Sequence, residues 1–261
     1  MKKRIFILMA IVLVLGLALV GPFGLSSSTP SKAAGNSTIT FHLFNGETTL
    51  TSKATYWVEV SGYGGTYGDT ETLSVANGVI SYKLSSKGKT GTITSNWFTT
   101  TVTTDVILNL EYTTLNVNLY NGATKLTDET KYWVEISGWG TAIHGDPVHL
   151  PPNTDISYKL GSKGATGTIT SAWVVRAGTG GGDVDWALQY TTVLFKFESN
   201  NNTYITIISG WGSVPNNQKV HLPPGTGVSI AAVYNGYQGP WYARNFSAGD
   251  STITWKMMPT P

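Results

Sequence analysis

Apolar and polar residues alternate with a period of two along most of the chain after residue 34. In one clear run, Ile80, Tyr82 and Leu84 are separated by Ser81 and Lys83. Successive side chains of a strand point to opposite faces, so this pattern is typical of a half-buried strand. Similar runs lie near 38–44, 55–61, 71–75, 79–84, 90–94, 97–103 and 106–112. No window after residue 34 has helical periodicity with caps, so the sequence predicts an all-β fold.

The strand pattern belongs to a unit that occurs three times. The segment from Tyr56 to Gly64 returns from Tyr132 to Gly140, and a weaker copy runs from Tyr204 to Gly212. Seven short strands in such a unit are typical of a small β-sandwich of immunoglobulin-like or transthyretin-like size. The repeat therefore predicts three tandem β-sandwich domains over residues 34–113, 114–191 and 192–261.

The junctions between repeats contain no flexible linker. The phase of the alternation switches at Thr113-Thr114, and Thr191-Thr192 occupies the matching place one repeat later. Neither junction has the Gly/Ser-rich or Pro-rich composition of a linker. The last strand of one repeat then runs almost directly into the first strand of the next, which predicts a stiff rod.

The first 33 residues are typical of a signal peptide. Met1-Lys2-Lys3-Arg4 is basic, Ile5 to Val20 is apolar, and Ser31-Lys32-Ala33 has small residues where a signal peptidase reads. We expect cleavage before Ala34, which removes four basic residues and changes the net charge from +2 to −2. The alternative is an uncleaved membrane anchor. The stretch from Ile5 to Val20 has 16 residues, which approaches the minimum of about 17 that a membrane span needs.

Composition excludes several classes of protein. Charged residues make up 12% of the chain, but 41% hydrophobic residues with 9 Trp and 13 Tyr are incompatible with intrinsic disorder. The absence of cysteine excludes disulfides, thiolate metal sites and a cysteine nucleophile. The weak net charge gives no footprint for nucleic acid. The sequence is that of a folded, exported β protein.

Candidate catalytic and metal-binding residues are sparse. The four histidines lie apart in the sequence, whereas a metal site needs ligands at characteristic spacings. Asp183 and Asp185 are too few for a calcium loop. Glu59 and Glu135 provide one strand carboxylate in each of the first two repeats, and Ile207 replaces it in the third, whereas a glycosidase needs two carboxylates beside one sugar. We therefore expect no enzyme activity, no catalytic residue, no metal and no cofactor.

The most distinctive candidate for binding is a Ser-Gly-aromatic-Gly loop in each repeat. It presents Tyr63, Trp139 and Trp211 between two glycines. Such rings can stack on a sugar or anchor a protein partner, because they offer a large area at little entropic cost. The alternative is that they cover the end of a small core. We predict that Trp139 and Trp211 face a ligand, and Trp241 is a further exposed candidate.

Tandem, Thr-rich, cysteine-free sandwiches behind a signal peptide resemble the immunoglobulin-like and transthyretin-like repeat modules of secreted bacterial surface proteins. The resemblance implies a secreted or cell-surface protein without enzyme activity, a repeat rod for spacing or adhesion. The alternative is a carbohydrate-binding protein that uses one loop aromatic per repeat. Its expected partners are a polysaccharide or a surface protein, with no nucleic acid and no membrane once the signal is cleaved.

Overall fold

Strands account for all the regular structure of the computed structural model, which describes residues 35–198, 203–247 and 249–256. The first strand shows why they form: Ile39, Phe41 and Leu43 are fully buried and alternate with partly exposed residues. This is the burial that the period-two pattern dictates. No helix occurs in the described residues, so the all-β prediction is confirmed, with a β-sandwich-like arrangement.

The first repeat contains two sheets. Its strands are β1 (Asn36–Asn45), β2 (Thr48–Thr49), β3 (Tyr56–Val60), β4 (Thr72–Ala76), β5 (Gly78–Lys87), β6 (Thr92–Thr94), β7 (Phe98–Val102) and β8 (Val106–Glu111). In one sheet β1 pairs antiparallel with β2 and β4 and parallel with β8. In the other, β5 pairs antiparallel with β3, β6 and β7. Apolar side chains of both sheets form one buried cluster.

The second repeat has the same arrangement. Its strands are β9 (Thr113–Asn121), β10 (Thr124–Lys125), β11 (Tyr132–Ile136), β12 (Gly140–Ala142), β13 (Pro147–Leu150), β14 (Ile156–Lys163), β15 (Thr168–Thr170), β16 (Val174–Arg176) and β17 (Gly182–Gln189). Here β9 pairs with β10, β13 and, in parallel, β17. In the second sheet β14 pairs with β11, β15 and β16, and β12 extends the edge beyond β11.

The third repeat follows the same plan, but the hairpin after the central strand of its second sheet pairs over two positions where the other repeats pair over three. Its strands are β18 (Thr191–Phe197), β19 (Ile205–Ile208), β20 (Gly212–Pro215), β21 (Gln218–Leu222), β22 (Thr226–Tyr234), β23 (Tyr237–Gln238), β24 (Tyr242–Phe246) and β25 (Ser251–Trp255). One sheet joins β18 to β21 and, in parallel, to β25. The other joins β22 to β19, β23 and β24, with β20 beside β19.

A single buried tyrosine separates the last strand of one repeat from the first strand of the next. Tyr112 lies between β8 and β9, and its hydroxyl donates to the carbonyl oxygens of Ser85 at 3.0 Å and Trp57 at 3.2 Å. Burial raises the pKa of this hydroxyl well above its usual value. Tyr190 makes the equivalent bonds, to Gly161 O at 2.8 Å and to Trp133 O. Each tyrosine thus ties the exit of a repeat to that repeat's own second sheet.

Contacts join Gly35–Pro261 into one compact unit. The three sequence-based domain boundaries therefore stay predictions, although each repeat has its own buried cluster. The signal peptide predicted over 1–33 lies outside the described residues. In the described part of the chain, no helix is both long and apolar enough to span a bilayer.

Candidate functional site

The Ser-Gly-aromatic-Gly loop turns sharply after the first strand of the second sheet in each repeat. Gly138 and Gly210, which precede the two tryptophans, have φ of 75°, a conformation that favours glycine. The amide of Trp139 then donates to Ile136 O, and that of Trp211 to Ile208 O, both at 3.1 Å. The backbone therefore makes a tight turn directly after each strand.

Trp139 packs against the preceding repeat and is not open to solvent. Only 8% of it is exposed, and it belongs to the buried cluster of the second repeat. Its carbonyl oxygen accepts the amide hydrogen of Thr90, with an N–O distance of 3.1 Å, from the turn between β5 and β6. A Cβ on Gly88 in that turn would overlap both the carbonyl and the ring of Trp139. The prediction that this ring is exposed is wrong.

Trp211 makes the same contacts one repeat later. Its carbonyl accepts from the amide of Thr166 at 3.1 Å, and a Cβ on Gly164 would overlap its carbonyl and ring. Its indole Nε1 donates to Ser162 Oγ at 3.2 Å. This ring is half-buried against the third cluster. Trp211 therefore also faces a neighbouring repeat on one side, and whether either tryptophan binds a ligand stays a prediction.

Two isoleucines extend these contacts into the cores. Ile93, on β6 of the first repeat, belongs to the buried cluster of the second repeat, and Ile169, on β15, belongs to that of the third. We call Gly88, Thr90, Ile93 and Trp139 the first joint, and Gly164, Thr166, Ile169 and Trp211 the second joint. At each joint, a turn of one repeat reaches under the aromatic loop of the next.

Tyr63 lies in the same loop of the first repeat but contacts its own repeat. Its half-buried ring packs against the first cluster. Its hydroxyl oxygen accepts the amide hydrogen of Ala76, with an N–O distance of 3.0 Å. The described residues place no earlier repeat beside it. Tyr63 therefore covers the end of its own core, as the alternative interpretation of the sequence proposed.

Each junction also contains one histidine with a lowered pKa. The ring of His149 packs edge-on against Tyr56, and its Nδ1 lies 2.9 Å from Thr114 Oγ1. Burial lowers the pKa of His149, and the nearby Asp183 carboxylate opposes that shift. Burial likewise lowers the pKa of His221, whose ring lies 5.9 Å from that of Tyr132. Both imidazoles are therefore held preferentially neutral between two repeats.

Each repeat has another tryptophan, and the three lie at equivalent, exposed positions. Strand pairing aligns Phe98 with Val174 and with Tyr242, because each lies opposite the same position of the central strand in its second sheet. The residues immediately before them are Trp97, Trp173 and Trp241, which are 51%, 48% and 48% exposed. The expected exposure of Trp241 is confirmed, whereas sequence reasoning missed the other two.

The missed tryptophans stand beside an ion pair in the first two repeats. Lys83 Nζ lies 3.0 Å from the Glu59 carboxylate and 5.1 Å from the centre of the Trp97 ring. The Lys83 ammonium and the indole N–H of Trp57 hold the pKa of Glu59 below its usual value. In the second repeat, Lys159 lies 3.0 Å from Glu135 and 4.7 Å from the Trp173 ring. The third repeat has Ile207 and Ala231 at the equivalent positions, so Trp241 lacks this pair.

A cavity of about 370 Å³ lies beside Trp173. It is lined by Thr90, Glu135, Ile136, Ser137, Gly138, Gly140, Thr141 and Trp173. Glu135 and Thr141 face each other across β11 and β12, and Thr90 comes from the turn of the first repeat. The cavity thus combines an exposed aromatic ring with a carboxylate and three hydroxyl groups, at the edge of the first joint.

The carboxylates and histidines do not gather into a metal-binding group. Among the described residues, no three His, Asp or Glu side chains lie close enough to hold an ion. Asp183 accepts a hydrogen bond from Asn45 Nδ2 at 2.9 Å, and Asp185 is exposed on β17. Glu59 and Glu135 are held in ion pairs. The expectations of no metal, no cofactor and no enzyme activity stay predictions.

Comparisons with known proteins give little further information. No family model matches the sequence. No curated protein matches it. One solved structure with a similar region is the Bacillus anthracis TIE protein, with a TM-score of 0.23 and 13% identity over 85% of this chain and 50% of that one. This chain thus aligns to half the length of that protein, at a similarity too low to carry an argument about fold or function.

Proposed function

We propose that this chain is a secreted, non-enzymatic surface or matrix protein in which three β-sandwich domains form a stiff rod. The domains are of the immunoglobulin-like or transthyretin-like kind found in bacterial surface proteins. The observation that carries the proposal is the repeated joint: the same turn, glycine and tryptophan meet at both junctions. A contact that recurs with the repeat favours a defined angle between neighbouring domains.

Two separate connections at each junction support stiffness. The chain itself crosses through Tyr112 or Tyr190, each buried and doubly hydrogen-bonded to the repeat before it. The joint makes a second connection at the β5–β6 or β14–β15 turn. Two points of attachment restrict bending and twisting more than a single linker does, and neither crossing has a flexible composition. Such a rod suits spacing or adhesion outside a cell.

Carbohydrate binding is the second candidate, and the exposure of Trp241 favours it. If the loop aromatics were the residues that bind the sugar, however, Trp139 and Trp211 would have to leave the joints to reach it. Packing of Trp139 in the second cluster makes that costly, because burying a large aromatic contributes several kcal/mol. The loops therefore serve the rod better than they serve a ligand.

Small-angle scattering on Gly35–Pro261 tests the rod. We expect a single elongated particle whose dimensions do not change with temperature below unfolding. The variants Trp139→Ala and Trp211→Ala should broaden the distance distribution, because each removes a joint and leaves the chain crossing intact. A broad ensemble for the unaltered chain would overturn the proposal. So would joint variants whose scattering matches that of the unaltered chain.

A further inference from the structure

We propose that the cavity beside Trp173 binds a neutral polysaccharide. The biological use of this binding rests on the proposed location outside the cell. The binding itself does not depend on whether the domains form a rod. The site differs from the loop aromatics, because Trp173 lies in no joint and 48% of it is exposed.

The lining of the cavity has the chemistry of a sugar site. The C–H face of a pyranose stacks on an aromatic ring, and its hydroxyl groups need donors and acceptors beside that ring. Trp173 offers the ring, and Glu135 and Thr141 offer oxygen atoms on adjacent strands. The cavity volume of about 370 Å³ falls within the usual range for ligand pockets, roughly 300–1,000 Å³.

Charge balance points to a neutral ligand. The Glu135 carboxylate, which lines the cavity, is already paired with the Lys159 ammonium at 3.0 Å, so its charge is largely neutralised. Lys159 is not among the residues that line the cavity, and its ammonium sits 4.7 Å from the Trp173 ring centre. A polyanion would therefore meet a carboxylate with no unpaired cation, whereas neutral hydroxyl groups can donate to that carboxylate.

The three repeats supply internal controls, because the site is complete in the second repeat alone. The wall formed by Thr90 belongs to the turn of the preceding repeat, and the described residues place no such turn beside Trp97. The third repeat keeps Trp241 but has Ile207 in place of the carboxylate, aligned through the pairing with Ala231. Trp97 and Trp241 are therefore equally exposed tryptophans in incomplete sites.

The test is binding of Gly35–Pro261 to neutral polysaccharides, namely cellulose, chitin, xylan, mannan and β-1,3-glucan, with alginate as the polyanion. We expect measurable binding to at least one neutral polymer and none to alginate. Trp173→Ala should weaken that binding at least tenfold, as truncation of a central aromatic contact does. Trp97→Ala should change it less than twofold. Denaturant melts of both variants should match, because both rings are half exposed.

A blocking variant separates the cavity from general effects of removing tryptophan. Thr141 is exposed on β12 and lines the cavity, so Thr141→Trp should fill it while Trp173 stays in place. We expect this variant to lose binding without losing stability. Absence of binding to all five neutral polymers would overturn the inference, and so would equal losses from Trp97→Ala and Trp173→Ala. Neither result bears on the rod, which scattering tests independently.

Discussion

The loops around Tyr63 and Trp139 have nearly the same sequence but different partners. In the first repeat the ring covers its own core, and its hydroxyl accepts the Ala76 amide hydrogen. In the second repeat the larger indole is buried against the turn of the repeat before it. Tyrosine thus occurs where the described residues place no earlier turn beside the loop, and tryptophan occurs where the turn of an earlier repeat packs against it. The same local structure serves as a lid or as a joint, according to its neighbour.

Removing the indole at the first joint should have the largest effect. We expect Trp139→Ala to lower the free energy of unfolding by about 3–5 kcal/mol, the usual cost of truncating a buried tryptophan. The second and first repeats should also separate in the unfolding transition, because their shared contacts are lost. Denaturant melts followed by fluorescence and circular dichroism measure both effects.

Trp97→Ala is the matched control for that measurement. Because Trp97 is 51% exposed, its loss should cost about 0.5 kcal/mol, the usual range for a surface substitution. If the two variants prove equally stable, Trp139 does not contribute to a joint, and the contrast with Tyr63 loses its basis.

The second prediction concerns the glycine at the second joint. A Cβ on Gly164 would overlap the carbonyl and the ring of Trp211. Gly164→Ala should therefore destabilise the chain by about 1–3 kcal/mol, the usual cost of overpacking. Gly239→Ala is the control, since the nearest atom to its new Cβ would be a carbonyl oxygen at 3.5 Å. Thermal melts that rank Gly239→Ala as the more damaging change would contradict the close packing at this joint.

Much of the fold was predictable from the sequence, because strand pattern is a local property. The runs near 38–44, 79–84 and 106–112 correspond to β1, β5 and β8, with ends that differ by up to three residues. The two-residue strand β2 was missed, since two residues give no alternation. Parallel pairing of β1 with β8 was also not predicted, because it depends on how distant strands return to one another.

The partners of the aromatic loops could not be predicted, because they lie in another repeat. Nothing near Trp139 in the sequence indicates that Gly88 packs against it. The only sequence sign of this contact is that a glycine recurs at the matching position, Gly164, before the loop of Trp211. The row of Trp97, Trp173 and Trp241 did leave a signal. The segments 90–95 and 166–171 have the same sequence, TGTITS, and a tryptophan follows two residues after each. Extending that match by two positions would have found Trp97 and Trp173.

The third prediction concerns the lid in the first repeat. Tyr63→Phe keeps the ring but leaves the Ala76 amide without its acceptor. We expect a loss of about 0.5–1.5 kcal/mol, the usual net contribution of one hydrogen bond. The control is Tyr67→Phe, which removes an equally exposed bond from the Tyr67 hydroxyl to Gly64 O at 3.1 Å, leaves no amide hydrogen unpaired and should cost no more. A denaturant melt of Tyr63→Phe that matches the unaltered chain would mean that the ring alone holds the lid.

The junction histidines extend the same contrast to pH, since strand pairing places Ser74 of the first repeat at the position of His149 and His221. Burial lowers the pKa of both rings, and this shift is partly offset at His149 by Asp183 and at His221 by Asp250.

These lowered pKa values predict how stability depends on pH. The two histidines bind protons first in the unfolded chain, as the pH falls through the ordinary histidine pKa of about 6.5. The stability that the neutral rings provide should be complete above about pH 7.5 and should decline as the pH falls below about 6.5. Carboxylates with lowered pKa, such as Glu59, lose their contribution only at lower pH. The free energies of unfolding of the unaltered chain and of a double variant, His149→Gln with His221→Gln, should differ at pH 7.5 and should converge as the pH falls below about 6.5. Parallel curves across that range would show that neither imidazole is held neutral at a junction.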